Sequence, residues 1–68
     1  MFETPDQAAI TALEERAAAR EAAVKRLEQI RAGESSGLVR EALNEGIKAL
    51  LIQQTEFLLM AERLRRGV

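Results

Sequence analysis

The sequence predicts an all-α fold, a two-helix antiparallel hairpin completed as a four-helix bundle by dimerisation. Three observations carry that expectation. Two long stretches rich in Ala, Glu, Arg and Leu, all strong helix formers, flank a single Gly/Ser cluster, Ala32-Gly33-Glu34-Ser35-Ser36-Gly37. Apolar residues in each stretch recur at alternating three- and four-residue steps, the spacing of a helix-helix seam. The chain has 68 residues, one domain spanning residues 1–68, and a fold that small buries only about 60% of the surface its unfolded form exposes. With no Cys and no His, disulfides and the commonest metal chemistry are absent as supports, which leaves association with another chain.

The first helix is expected over about residues 5–31. Thr4-Pro5-Asp6-Gln7 combines a capping Thr, Pro at the first helical position, an acid in the first turn and Gln three residues after the cap. Ile10, Leu13, Ala17, Val24 and Leu27 then form a narrow apolar seam, interrupted at Arg20. Ala18, Ala19, Ala22 and Ala23 beside it permit a close helix-helix approach or simply serve helix propensity, the reading favoured here. Glu21 and Lys25, four apart with the acid first, support the solvent face.

Residues 32–37 form the turn, with Gly33 suited to stopping one helix and Ser35 or Ser36 to capping the next. So short a connection brings the helices back antiparallel. The second helix is expected over about residues 38–66, with Val39, Leu43, Leu50, Phe57, Met60 and Leu64 on one stripe. Leu38, Ala42, Ile47, Leu51, Ile52, Leu58 and Leu59 lie on flanking faces, so this helix is apolar nearly all round between Ile47 and Ala61 except at Gln53-Gln54-Thr55-Glu56.

A narrow, alanine-rich seam facing a broad, bulky surface leaves large side chains for a partner to cover. The expected function is therefore a non-enzymatic protein–protein interaction module. Its expected partner face is Leu43, Ile47, Leu50, Leu51, Phe57 and Leu58, packed on an identical chain, with a homodimer favoured, or on a heterologous protein. Gly46, which costs about 1 kcal/mol against Ala inside a helix, marks either a close helix approach or tolerated variation. Gln53 lies either in the seam, where a polar residue fixes register, or at its solvated edge.

Other functions find less in the sequence. Without His, Cys or Tyr, no catalytic constellation forms, and no cofactor, metal or small-molecule substrate is expected. Ten Lys+Arg against 11 Asp+Glu give a net charge of −1, so the molecule as a whole does not attract polyanions. The candidate polyanion contacts are local: Arg16 and Arg20 in the first helix, and Arg63, Arg65 and Arg66 at the end of the second. Those terminal cations also complement the exposed carbonyls of a last helical turn. The residues from Met1 to Asp6 lack the pattern of a secretion leader, and no apolar run approaches the ~20 residues that span a bilayer. Cytoplasm is the default expectation.

The segment from Arg31 to Leu43, a Gly/Ser-rich turn running into Val39-Arg40-Glu41-Ala42-Leu43, resembles the turn and second helix of ParD-type antitoxins of the ribbon-helix-helix class. In that family an amino-terminal strand pairs across a dimer to read DNA, and a carboxy-terminal helix wraps a toxin. Residues 8 to 30 here have helical composition instead, so the resemblance implies the partner-wrapping helix rather than the DNA-reading strand. In architecture the chain also resembles the needle co-chaperones of type III secretion and the dimeric RNA-binding Rop-like bundles. These resemblances imply two alternatives, a nucleic-acid-binding regulator of antitoxin-like or Rop-like kind and a small co-chaperone subunit.

Overall fold

The computed structural model describes residues 4–67. The amino-terminal residues before Thr4, on which the leader reading partly rests, lie outside that range, as does Val68. Two helices make up the fold, α1 (Pro5–Ala32) and α2 (Gly37–Arg65), packed against each other, and no strand occurs among the described residues.

Each helix starts where its sequence offers a cap. The Thr4 hydroxyl accepts the Gln7 backbone N–H at 3.1 Å, with Pro5 directly after it, so a donor left without an intrahelical partner is satisfied at once. Of the two serines in the turn, Ser36 is the cap, accepting from the Val39 N–H at 3.4 Å, while its own N–H donates to Glu34 Oε1 at 2.9 Å. Gly33 ends α1 without the left-handed conformation that glycine favours: its φ is −94°, and 3.2 Å bonds from Gly33 N to Ile30 O and from Glu34 N to Arg31 O tighten the last turn. The connection is therefore shorter than the expected 32–37, and α2 starts at Gly37.

The α1 seam follows the expected spacing, with Ile10, Ala17 and Val24 buried and Leu13, Arg20 and Leu27 half-buried between them. Arg20 fills the position that interrupts the apolar pattern. Its Nε donates to Gln53 Oε1 at 2.8 Å and its guanidinium lies 5.5 Å from the centre of the Phe57 ring, so the aliphatic stem lies in the seam and the charge meets an amide and a π face.

On α2 the structure differs from the expected stripe. The residues withdrawn from solvent are Leu43, Gly46, Ile47, Leu50, Gln54, Phe57, Ala61 and Leu64, whereas Val39 and Met60 are 42% and 41% exposed. Both registers share the seven-residue series Leu43, Leu50, Phe57, Leu64. They differ in which neighbouring row turns inward, Gly46-Gln53-Met60 or Ile47-Gln54-Ala61. The second row buries Ile47 where the first offers only the hydrogen of Gly46, but it also seals the small Ala61 while the larger Met60 stays exposed, so apolar area alone does not set the rotation. Gln53 consequently lies at the solvated edge of the seam as the acceptor for Arg20, and Gln54 takes the seam position.

Gly46 is half-buried, and a methyl group built on it would meet Leu27 Cδ1 at 3.4 Å. The approach at this position is thus to α1 of the same chain, at ordinary contact distance.

The hairpin measures 51 × 23 × 11 Å with a radius of gyration of 15.6 Å, against about 11 Å for a compact chain of this length. It is one helix thick. Its accessible surface is 5314 Å², roughly 1,000 Å² more than the about 4,200 Å² of a typical folded monomer of its mass. Among the described residues only Ala61 is fully sealed from water, and no larger side chain is. A single layer has one internal interface, and here that interface is a seam of alanines and half-covered leucines.

Candidate interaction surface

The heptad geometry of α2 decides which apolar residues α1 can reach. Leu50 and Phe57 belong to the seam; the residues one and two positions after each, about 100° and 200° further round the helix, turn away from it. Those residues are Leu51 and Ile52, then Leu58 and Leu59. Their exposures are 45%, 56%, 46% and 59%. Four large aliphatic side chains thus form a patch on the outer edge of α2, with Thr55 at its middle. The Thr55 hydroxyl donates to the Leu51 carbonyl at 3.0 Å, so covering it would leave no hydroxyl hydrogen unpaired.

The borders of the patch are charged. Lys48 and Glu56 border a shallow groove over Leu51, Ile52 and Thr55, and Glu62, Arg63 and Arg66 border another beside Leu59. Among the described residues Lys48 makes no ion pair, while Glu62 holds Arg65 at 3.8 Å and Arg66 at 3.2 Å. These grooves are open hollows on one helix, without the enclosure that holds a small molecule.

The residues expected at a partner interface are divided by this geometry. Leu43, Ile47, Leu50 and Phe57 face α1 and complete the hairpin, whereas Leu51 and Leu58 face solvent. Ile52 and Leu59, the most exposed of the four patch residues, join Leu51 and Leu58 there. A sequence signal for them exists: two apolar doublets seven residues apart, each directly following a seam position. Leu38 at 80%, Val39 and Met60 on α2 and Ile30 on α1 are also exposed.

The arginines do not converge. Arg20 is engaged in the seam. Arg65 pairs with Glu14 across the open end of the hairpin, and Arg66 with Glu62 along its own helix. Arg16 and Arg63 are exposed, on different helices. A further cross-helix bond, from Arg31 Nη1 to Asn44 Oδ1 at 2.6 Å, ties the helices near the turn.

Among the described residues no three carboxylates gather to form a cation site, no buried side-chain polar atom lacks a partner, and no helix is long and apolar enough to cross a membrane. The chain matches no protein-family model, no curated protein and no solved structure.

Proposed function

We propose that this chain is a non-enzymatic interaction module whose outer α2 edge, Leu51, Ile52, Leu58 and Leu59, docks on another protein chain. One observation carries the reading: the seam with α1 is already filled by Leu43, Ile47, Leu50, Phe57 and Ala61, yet four large aliphatic side chains remain together on the opposite side. Clustered exposed apolar groups are costly in an isolated small protein and are the usual mark of a contact surface. A dimeric four-helix bundle is one form of this reading, and a heterologous complex is the other. Binding of nucleic acid draws less support, because Arg20 and Arg65 are each tied to the other helix and the remaining arginines do not converge.

The test is chemical cross-linking of the tagged chain in its native cells, compared with an Ile52→Asp, Leu58→Asp double variant. Both positions point to solvent, so the helical circular dichroism of the variant should match the parent. The parent should give a defined cross-linked species, its own dimer or a complex with one other protein, that the variant lacks. Identical cross-linking of the two forms would refute the assignment.

A further inference from the structure

Resting on that docking surface, we infer that its occupant is a second copy of this chain, with the two α2 helices antiparallel about a twofold axis at Thr55. The outer edge of α2 is built from three parallel rows. The middle row runs Lys48, Thr55, Glu62; one flank runs Asn44, Leu51, Leu58, Arg65; the other runs Glu45, Ile52, Leu59, Arg66. A twofold axis perpendicular to an antiparallel helix pair sets each row against its own copy in reverse order.

With Thr55 on the axis, every row complements itself. Lys48 of one copy meets Glu62 of the other, and the symmetry repeats that contact. Leu51 meets Leu58 and Ile52 meets Leu59, closing the apolar patch on itself. Glu45 meets Arg66, while Asn44 and Arg65, already bonded to Arg31 and Glu14 of α1, border the contact without contributing to it. The opposite charges fall at the two ends of the contact and the aliphatic groups at its centre, the arrangement of an apolar core with a polar rim. A parallel pair would set Lys48 on Lys48, Glu62 on Glu62 and Arg65 on Arg66, which costs energy at each contact. Sliding the antiparallel pair by a helical turn would move Lys48 off Glu62 and leave part of the patch uncovered.

Two further observations fit a second copy. The Thr55 hydroxyl is satisfied by its own helix at 3.0 Å, so it can lie against its symmetry mate on the axis. The surface of 5314 Å² exceeds that of a typical monomer of this mass by roughly 1,000 Å², so this elongated single layer leaves surface for a second copy to cover. Glu62 already lies near Arg65 and Arg66, but an exposed carboxylate has room for another cation.

The experiment uses charge reversal read by light scattering across a concentration series. The parent chain should be a dimer. Lys48→Glu and Glu62→Lys should each weaken self-association about tenfold or more, since two symmetric contacts become repulsive in each case. An equimolar mixture of the two single variants should recover the parental affinity, because each altered side chain then faces its complement. That rescue also shows that the single variants are folded.

Because the chain has no Cys, Thr55→Cys gives a second readout. It should form a disulfide-linked dimer on mild oxidation, while Asn44→Cys, whose copies lie roughly 30 Å apart in this register, should not. A monomeric parent, a dimer indifferent to the reversals, or linkage at position 44 in place of 55 would each overturn the inference. These failures are separable from failure of the docking surface itself: a heterologous cross-link lost in the Ile52→Asp, Leu58→Asp variant keeps the surface and removes only the second copy.

Discussion

The inner and outer faces of α2 carry similar side chains in dissimilar settings. Inward, Leu43, Ile47, Leu50, Phe57, Ala61 and Leu64 lie on a stripe that α1 covers; outward, Leu51, Ile52, Leu58 and Leu59 lie 45% exposed or more. Composition does not separate the two sets, since both are mainly leucine and isoleucine. The position of each residue in the seven-residue repeat does, because a helix one layer deep in a hairpin can give its neighbour only about a third of its circumference. The inner face therefore determines whether the hairpin forms. We assign the outer face to what the hairpin contacts once it has formed.

The largest expected effect contrasts one isoleucine from each face. Ile47→Ala should destabilise the hairpin by about 2–5 kcal/mol, the range for emptying a buried aliphatic site, measured by urea unfolding at a concentration low enough to suppress association. Ile52→Ala, measured the same way, should change stability by about 0.5 kcal/mol or less, as for an ordinary surface position. Equal losses at the two positions would break the contrast.

A smaller effect of opposite sign is expected at Gly46. A methyl group there would rest on Leu27 Cδ1 at 3.4 Å, an ordinary contact, and replacing a helical glycine by alanine gains about 0.5–1 kcal/mol. Gly46→Ala should accordingly raise the thermal midpoint by roughly 2–8 °C for a domain of this size. A fall would mean that the α1–α2 approach at Gly46 is tighter than van der Waals contact and that glycine is required for it.

The smallest effect is expected where the helices are tied by charge. Arg65 and Glu14 pair across the open end with side chains 48% and 43% exposed, and such pairs couple by about 0.2–1 kcal/mol. A double-mutant cycle with Glu14→Gln and Arg65→Gln should return a coupling in that range that falls as salt is added. A coupling independent of salt would place this pair in a drier setting than its exposure indicates.

Much of the fold is legible in the residues because it is local. Thr4, Pro5 and Ser36 act within three or four residues of themselves, so the helix starts follow from short-range capping rules, and the antiparallel return follows from the length of the connection. The rotation of α2 is less accessible to sequence reasoning. Gly46-Gln53-Met60 and Ile47-Gln54-Ala61 are both plausible partners for the Leu43 series, and the choice depends on what α1 presents opposite, including an arginine. Arg20 looks like an interruption in the linear pattern; only Phe57 and Gln53, more than thirty residues away, make it a seam residue. The excess of apolar surface on α2 is readable from the sequence, but assigning particular leucines to the inner or outer face requires the rotation first.

Among the described residues three side-chain hydrogen bonds join the helices, and they also set an order of closure. Arg31–Asn44, Arg20–Gln53 and Arg65–Glu14 span 13, 33 and 51 positions of the chain. Each doubling of the loop adds only about 0.6 kcal/mol of closure entropy, but once the first tie forms, each later one closes a much smaller gap than it would alone. The hairpin is thereby built to zip from the Ser36 turn outward and to fray from the opposite end, where Glu14 and Arg65 meet. Backbone amides should follow that gradient, exchanging with solvent more slowly toward the turn and faster toward Pro5 and Arg65.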